Sequence, residues 1–340
     1  MAFSNTFDTT NQGSAVANRE DLTDGLTILA PEETPVLSSA NKSKASATNV
    51  EWTVDSLSAP STAGISEGAD VTAFTDQFAS RARLGNRIQK FRRDFMVSDL
   101  QDAVDSVGPA KIAQAEAKAI RELKRDVEAT LVVTQDKATE DGAGTANALR
   151  GLGRWLSANA ADTDVPSDYR TPDDSIYTAA EANANPFTES TLNSLITSIF
   201  EVNGSSNSLM LVADTGLRRV VSDFARFGAN VQDGSNAGVR TVNYEGGSGT
   251  IKLSVDLYES DHGVVSIVNG NPDCMPNFGG NTANSSGYIV NPDYYGVHEL
   301  IPMGTSRLPN LGGGERGFVD CALTLGVYHP GAHGLIEDVT

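Results

Sequence analysis

Few residues in this 340-residue chain are spaced for catalysis or metal binding. His329-Pro330-Gly331-Ala332-His333 has the i, i+4 spacing of a helical metal pair, but Pro330 and Gly331 disfavour the helix that would align both rings. His298-Glu299-Leu300-Ile301-Pro302 opens like a zinc-protease helix and lacks its second histidine. Gly312-Gly313-Gly314-Glu315-Arg316 lacks the Lys-Ser/Thr and the strand-to-helix setting of a phosphate loop, and no Gly-x-Ser-x-Gly elbow is present. Cys274 has no basic neighbour in sequence to activate it, and Cys321 sits at an inward strand position. Two cysteines exclude a disulfide scaffold and a multi-cysteine zinc site. The expectation is a protein that is not an enzyme, with no cofactor and no metal.

Charge is more informative. The formal net charge is −19 and the pI about 4.5, against a dedicated DNA-binding domain. Residues 81–93 break the pattern: Arg81, Arg83, Arg87, Lys90, Arg92 and Arg93 occur there without a single acid. A charged edge strand is one reading of this run. A contact surface for an acidic partner is another, and a second copy of the same acidic chain is the nearest such partner. Nucleic acid is the weakest, because the surrounding field repels phosphate.

The elements that carry these residues form a sequence of unlike pieces. Residues 1–47 read as an extended arm with one short helix near Arg19–Leu29, stopped by Pro31 and Pro35. Residues 48–95 read as a long β-hairpin. Val50, Trp52 and Val54 alternate with polar residues, a small and polar middle runs from Leu57 to Ala79, and Leu84, Ile88, Phe91 and Phe95 lie on the return strand. Such a hairpin is not stable alone in water. Residues 98–137 are helical, with a capping box at Ser98–Gln101, an interruption at Gly108-Pro109 and then a spine of about 27 residues, ~40 Å long. Its apolar stripe is Ile112, Ala115, Ala119, Leu123, Val127 and Leu131, and Lys124 and Glu128 are spaced to pair. Residues 138–186 are loop-rich, pinned by Trp155 and Leu156. Residues 187–285 form an α/β lobe: a helix capped by Thr188, with Phe187 and Leu192 as a staple, and ended by Asn203-Gly204; a strand at Leu209–Val212; a helix over Thr215–Phe227 capped by Asp214; and strands at Ile251–Leu257 and Val264–Val268. Residues 286–340 are mostly β, with Val319, Cys321, Leu323, Leu325 and Val327 alternating inward. No stretch approaches the ~20 apolar residues of a membrane helix, and no secretory signal is evident. Pieces without cores of their own call for neighbours, which points to assembly.

The motifs, in their order, resemble a tailed-bacteriophage major capsid protein of the HK97 type. The resemblance rests on Asn18-Arg19-Glu20-Asp21-Leu22-Thr23-Asp24, Pro31-Glu32-Glu33-Thr34-Pro35-Val36-Leu37 and Glu51-Trp52-Thr53-Val54-Asp55-Ser56-Leu57. It continues through Glu67-Gly68-Ala69-Asp70, Glu122-Leu123-Lys124-Arg125-Asp126-Val127-Glu128 and Ala332-His333-Gly334-Leu335-Ile336. It implies an α+β fold: an N-terminal arm (1–47), an extended hairpin loop (48–95), a peripheral domain with the spine helix (96–186), an axial domain (187–285) and C-terminal strands completing the core (286–340). The inserts at about 139–185 and 269–287 depart from a typical member. The resemblance further implies hexamers and pentamers closing into an icosahedral shell around double-stranded DNA. A portal protein at one vertex, decoration or scaffold proteins, and a place in the virion after assembly in the host cytoplasm follow from it. Expected inter-subunit contacts are Trp52, Asp55, Glu67, Arg81, Arg83, Arg87, Lys90, Arg92 and Arg93, with the cations paired to acids on adjacent copies. An encapsulin-like nanocompartment shell and an acidic secreted binding protein are the alternatives; the missing signal counts against the second.

Overall fold

The computed structural model describes residues 33–104, 111–157, 162, 164–178, 187–204, 208–227, 256–276 and 286–337. The helix expected near Arg19–Leu29, the residues Gly108-Pro109 and most of the strand expected at Ile251–Leu257 lie outside these.

Apolar residues recurring every four positions explain the central helix. α3 spans Lys111–Val132 and buries Ala119, Leu123, Val127 and Leu131, with Ile112 and Ala115 packed at the margin. It lies on a four-stranded sheet of β1 (Asn41–Lys44), β10 (Tyr295–Leu308), β11 (Glu315–Val327) and β4 (Gln89–Val97), in that order. β10, β11 and β4 are antiparallel neighbours, whereas β1 runs parallel to β10. The helix has 22 residues, about 33 Å, and is shorter than expected. It stops because the chain folds back over its end. Tyr288 Oη donates to Val132 O at 2.5 Å, and Gly151 N donates to Gln135 O at 3.1 Å. A Cβ on Gly151 would sit 2.1 Å from Val133 O, so only glycine fits this crossing. Before α3, α2 (Asp99–Ala103) is capped by Ser98, whose hydroxyl accepts from Gln101 N as expected.

The expected Lys124–Glu128 pair does not form. Lys124 is exposed, whereas Glu128 is only 2% exposed and faces the core. Its two carboxylate oxygens accept from Val36 N at 2.9 Å and Leu37 N at 2.8 Å, capping the short helix α1 (Pro35–Ser39). Burial raises the Glu128 pKa, and the two backbone donors oppose that rise. Ser39 Oγ and Tyr295 Oη lie 2.5 Å apart on the same seam, so the entry of the chain into the body is fastened at several points.

The second sheet has the order β5 (Ile176–Tyr177), β12 (Gly334–Ile336), β9 (Gly287–Val290), β6 (Leu209–Ala213), β8 (Gly263–Asn269) and β7 (Leu257–Ser260). Two helices cover it: α5 (Glu189–Asn203) and α6 (Thr215–Phe227). Thr188 and Thr191 form a reciprocal capping box on α5, and Gly204 ends it at φ 65°. Phe187 and Leu192 are both buried in the cluster beneath. Asp214 precedes α6 and accepts from Thr215 N at 2.6 Å. β5, β9 and β12 come from outside residues 187–285 and complete this sheet, while β10 and β11 leave it for the other.

The loop-rich region is held by charge as well as by Trp155 and Leu156 of the short helix α4 (Leu152–Leu156), both fully buried. Arg150 is fully buried, lies 4.8 Å over the Trp155 ring and pairs with Asp162; Asp164 and Asp136 approach it at 3.4 and 3.5 Å. Burial alone would raise the Asp162 pKa, but hydrogen bonds from Arg150 and Asp164 N, with the charge of Arg150, bring it below the ordinary value.

Two outcomes follow. Glu128→Ala strands two buried donors and should cost about 2–4 kcal/mol in a denaturant titration, whereas Lys124→Ala should change stability by less than ~0.5 kcal/mol. Asp162→Asn leaves Arg150 with only its weaker partners and should cost about 3 kcal/mol. A carboxylate with a depressed folded-state pKa stabilises above its unfolded pKa and loses that contribution as pH falls through the folded one. The wild-type advantage over Asp162→Asn should therefore be full at neutral pH and shrink in acid, which paired unfolding curves from pH 7 to pH 2 would measure.

Candidate assembly surface

The residues singled out for metal or phosphate chemistry are structural. His333 is fully buried, accepts from Asn291 N at 3.1 Å and is pushed by burial to a pKa of about 3, so it is neutral. A 3-10 turn at Pro330–Ala332 separates it from His329, whose ring packs on Tyr294. His298 engages Ser43 Oγ at 2.6 Å and Tyr328 Oη at 3.2 Å. The glycine triplet is the β10–β11 turn, with Asn310 Oδ1 accepting from Gly312 N at 2.7 Å. Among the described residues no group of three or more His, Cys, Asp or Glu is placed to hold a metal ion.

The hairpin carries six of the expected contact residues: Trp52, Asp55, Glu67, Arg81, Arg83 and Arg87. β2 (Asn49–Val54) pairs antiparallel with β3 (Ala82–Arg87), placing Trp52 opposite Leu84 and Val50 opposite Asn86. Period-two alternation turns these four inward. Trp52 packs on Trp155, His298 and Tyr328 of its own chain at ring-centroid distances of 5.7, 6.4 and 5.8 Å. Asn86 Oδ1 accepts from Arg87 N and Arg150 N, each at 2.8 Å. Asn86 Nδ2 donates to Arg150 O at 3.0 Å and Leu325 O at 2.7 Å. Tyr169 Oη donates to Ser80 O at 2.6 Å. The base of the hairpin is thus fastened to its own subunit.

Beyond the base, every residue from Asp55 to Ala79 is exposed. The middle is not simply small and polar. It holds Leu57, Ile65, Val71, Phe74 and Phe78 in solvent, with Leu57 99% and Phe74 92% exposed. These apolar residues have no period, so no pattern in the sequence flagged them.

The basic run is not a single strand. Pairing changes at Ile88: Arg83 and Arg87 belong to the hairpin, whereas Lys90, Arg92 and Arg93 belong to β4 in the four-stranded sheet. Most of its charge is matched within the chain. Arg81 bonds Asp55 at 3.0 Å, Arg83 bonds Glu51 at 3.2 Å, Lys90 bonds Asp320 at 3.1 Å and Arg92 bonds Asp94 at 3.0 Å. Arg93 grips Asp126 of α3 with two bonds, at 2.5 and 2.7 Å, and this raises its pKa. The Ser80 hydroxyl, then Arg81, hold the Asp55 carboxyl below its usual pKa. Arg87 has no ion pair among the described residues, and Glu67 lies exposed at the tip. Arg92 and Arg93 face opposite sides of the sheet, Arg93 toward the helix and Arg92 toward solvent beside Phe318.

A scan of family models matches the SU10 major capsid protein over residues 3–340. The chain belongs to this family. Among solved structures, the capsid of cyanophage P-SCSP1u matches with TM-score 0.60 at 14% identity, covering 97% of this chain and 95% of that one. The capsid of cyanophage A-1(L) matches with TM-score 0.55 at 14% identity, covering 97% and 99%. The SrpI encapsulin complex of Synechococcus elongatus matches with TM-score 0.53 at 11% identity, covering 96% and 95%. At these identities the structural likeness shows a shared capsid fold, and the family match decides between its users. A search of curated proteins finds no match. This is a major capsid protein of α+β, HK97-like fold, and its place is the virion.

The two faces of β4 separate folding from surface charge in the capsid protein. Arg93→Ala should lower subunit stability by about 1 kcal/mol, and Arg92→Ala by nearly nothing, since exposed pairs contribute about 0–1 kcal/mol. Denaturant unfolding of the unassembled subunit measures both.

Proposed function

We propose that copies of this chain form hexamers and pentamers that close into an icosahedral shell around packaged double-stranded DNA. Residues 1–47 act as the arm, 48–95 as the extended loop, 96–186 as the peripheral domain, 187–285 as the axial domain and 286–340 as the strands that complete both. Assembly takes place in the host cytoplasm, a portal protein occupies one vertex, and decoration or scaffold proteins join at surfaces such as the inserts at 139–185 and 269–287. The observation that carries this reading is the exposed segment 55–79, which leaves Leu57, Ile65, Val71, Phe74 and Phe78 in solvent. So many large apolar side chains without cover on one segment call for a partner.

Within that assembly, Glu67, Arg83, Arg87, Lys90 and Arg92 make contacts to adjacent copies. Trp52, Asp55 and Arg81 anchor the hairpin that presents Glu67, Arg83 and Arg87, and Arg93 ties β4, which presents Lys90 and Arg92, to α3. Each exposed ion pair contributes only about 0–1 kcal/mol, and repetition over a closed lattice makes the sum large. The net charge of −19 suits a container whose walls do not hold phosphate.

The encapsulin likeness favours one second reading, a nanocompartment enclosing protein cargo. Electron microscopy of the expressed chain, with nuclease-protected nucleic acid assayed in phage particles, separates the readings. Shells that hold protected DNA in the virion support the proposal. Small shells filled with protein favour the second reading, and a stable monomer without shells contradicts both.

A further inference from the structure

α6 starts beside the point at which the described chain begins. A groove of about 590 Å³ lies between them: Thr215, Arg219 and Ser222 of α6 line it, residues 269–272 line it from the end of β8, and Glu33 lines it as well. Asn271 reaches the incoming chain, its Nδ2 donating to Glu33 O at 3.1 Å, and is only 2% exposed. Gly270 N donates to Ala213 O at 2.8 Å, which fixes this wall to the residue before Asp214 and α6. The two arginines of the groove differ. Arg218 is engaged, donating to Asp256 Oδ1 at 2.5 Å and to Ile267 O at 3.2 Å. Arg219 is exposed and has no ion pair among the described residues, although Glu33 lines the same groove.

We infer that this groove is the seat of residues 29–32 of the same chain, which precede Glu33 and lie outside the described residues. Three features select this occupant. The first is position. Asn271 holds the Glu33 carbonyl in the groove and Glu128 holds Val36 N and Leu37 N, so Glu32 starts one peptide, about 3.8 Å between Cα atoms, from the site. The second is reach. Four extended residues cover ~13 Å, and α6 rises about 10 Å from Thr215 to Ser222. The third is chemistry. Glu32 brings the carboxylate that Arg219 lacks, Leu29 brings apolar surface to Pro272 and the arginine stems, and Pro31 keeps Ala30 extended. The wider segment agrees, since residues 1–32 hold Asp8, Glu20, Asp21, Asp24 and Glu32 against Arg19 alone. Seated there, the incoming chain ties the α/β lobe to the seam that Glu128 makes with α3. The inference concerns one subunit and does not depend on the capsid reading.

The test is hydrogen–deuterium exchange at the amides of Leu29, Ala30 and Glu32 in the unassembled full-length subunit. They are expected to exchange at least about tenfold more slowly than in a synthetic peptide of residues 24–38, at every subunit concentration. Arg219→Glu, at a side chain with no ion pair to lose, should speed them about fivefold, and adding Glu32→Arg should restore them to within about twofold. Ser222→Trp, which fills the groove, should speed them at least about tenfold. Peptide-like exchange in the wild type overturns the inference. So does an unchanged rate in Ser222→Trp with an unchanged unfolding curve, or a charge effect without rescue. Protection that grows with concentration, or arises only in particles, assigns the groove to a neighbouring copy and overturns it too. Chains that never form shells would refute the capsid reading and leave these rates as they are, so the two failures are distinguishable.

Discussion

Asn86 uses all four of its side-chain hydrogen bonds on backbone groups of Arg87, Arg150 and Leu325, and this fixes where the hairpin goes. A buried amide satisfied on every side has no cheaper arrangement, since losing any partner leaves a polar atom without water. Trp52, seated on Trp155, His298 and Tyr328, adds aromatic packing to the same joint. The base therefore belongs rigidly to its subunit, and residues 55–79 beyond the paired strands lie exposed. Folding and assembly draw on different halves of one hairpin.

The same division recurs elsewhere. Glu128 on the spine helix holds α1, and β1 then joins the sheet alongside β10, so the chain upstream of Glu33 starts from a fixed point on the body. Arg150 and its carboxylates lock the loop-rich region beneath the hairpin base. Arg93 ties β4 to α3, whereas Arg92, one residue away, faces outward. In each case the interior partner is matched inside the chain and the exterior one is left at the surface, as a subunit that must fold before it tiles requires.

Elements governed by local pattern were legible in the sequence. The stripe of α3, the caps at Ser98 and Thr188, and the strand at Leu209 all follow from short-range spacing and appear where expected. Long-range partners were not. Glu128 looked like the mate of Lys124 because the two are one turn apart, but its partners are Val36 and Leu37, some ninety residues earlier in the chain. The alternation of β11 holds to Cys321 and then fails, because the hairpin base buries its second face from Ala322 onward. The basic run read as one block by composition, although strand periodicity sends neighbouring charges to opposite sides. The apolar tip was hidden among Gly, Pro and Ser.

The central claim is that residues 57–79 lack a burial partner until a neighbour provides one, while the base that carries them is already folded. Hydrogen–deuterium exchange compared between unassembled subunits and particles tests this most directly. The account predicts that amides of Asn49–Val54 and Ala82–Arg87 are protected in both states, and that those of 57–79 exchange freely in the subunit and slow sharply in the particle. Protection of 57–79 already in the isolated subunit, or free exchange there in the particle, would contradict it.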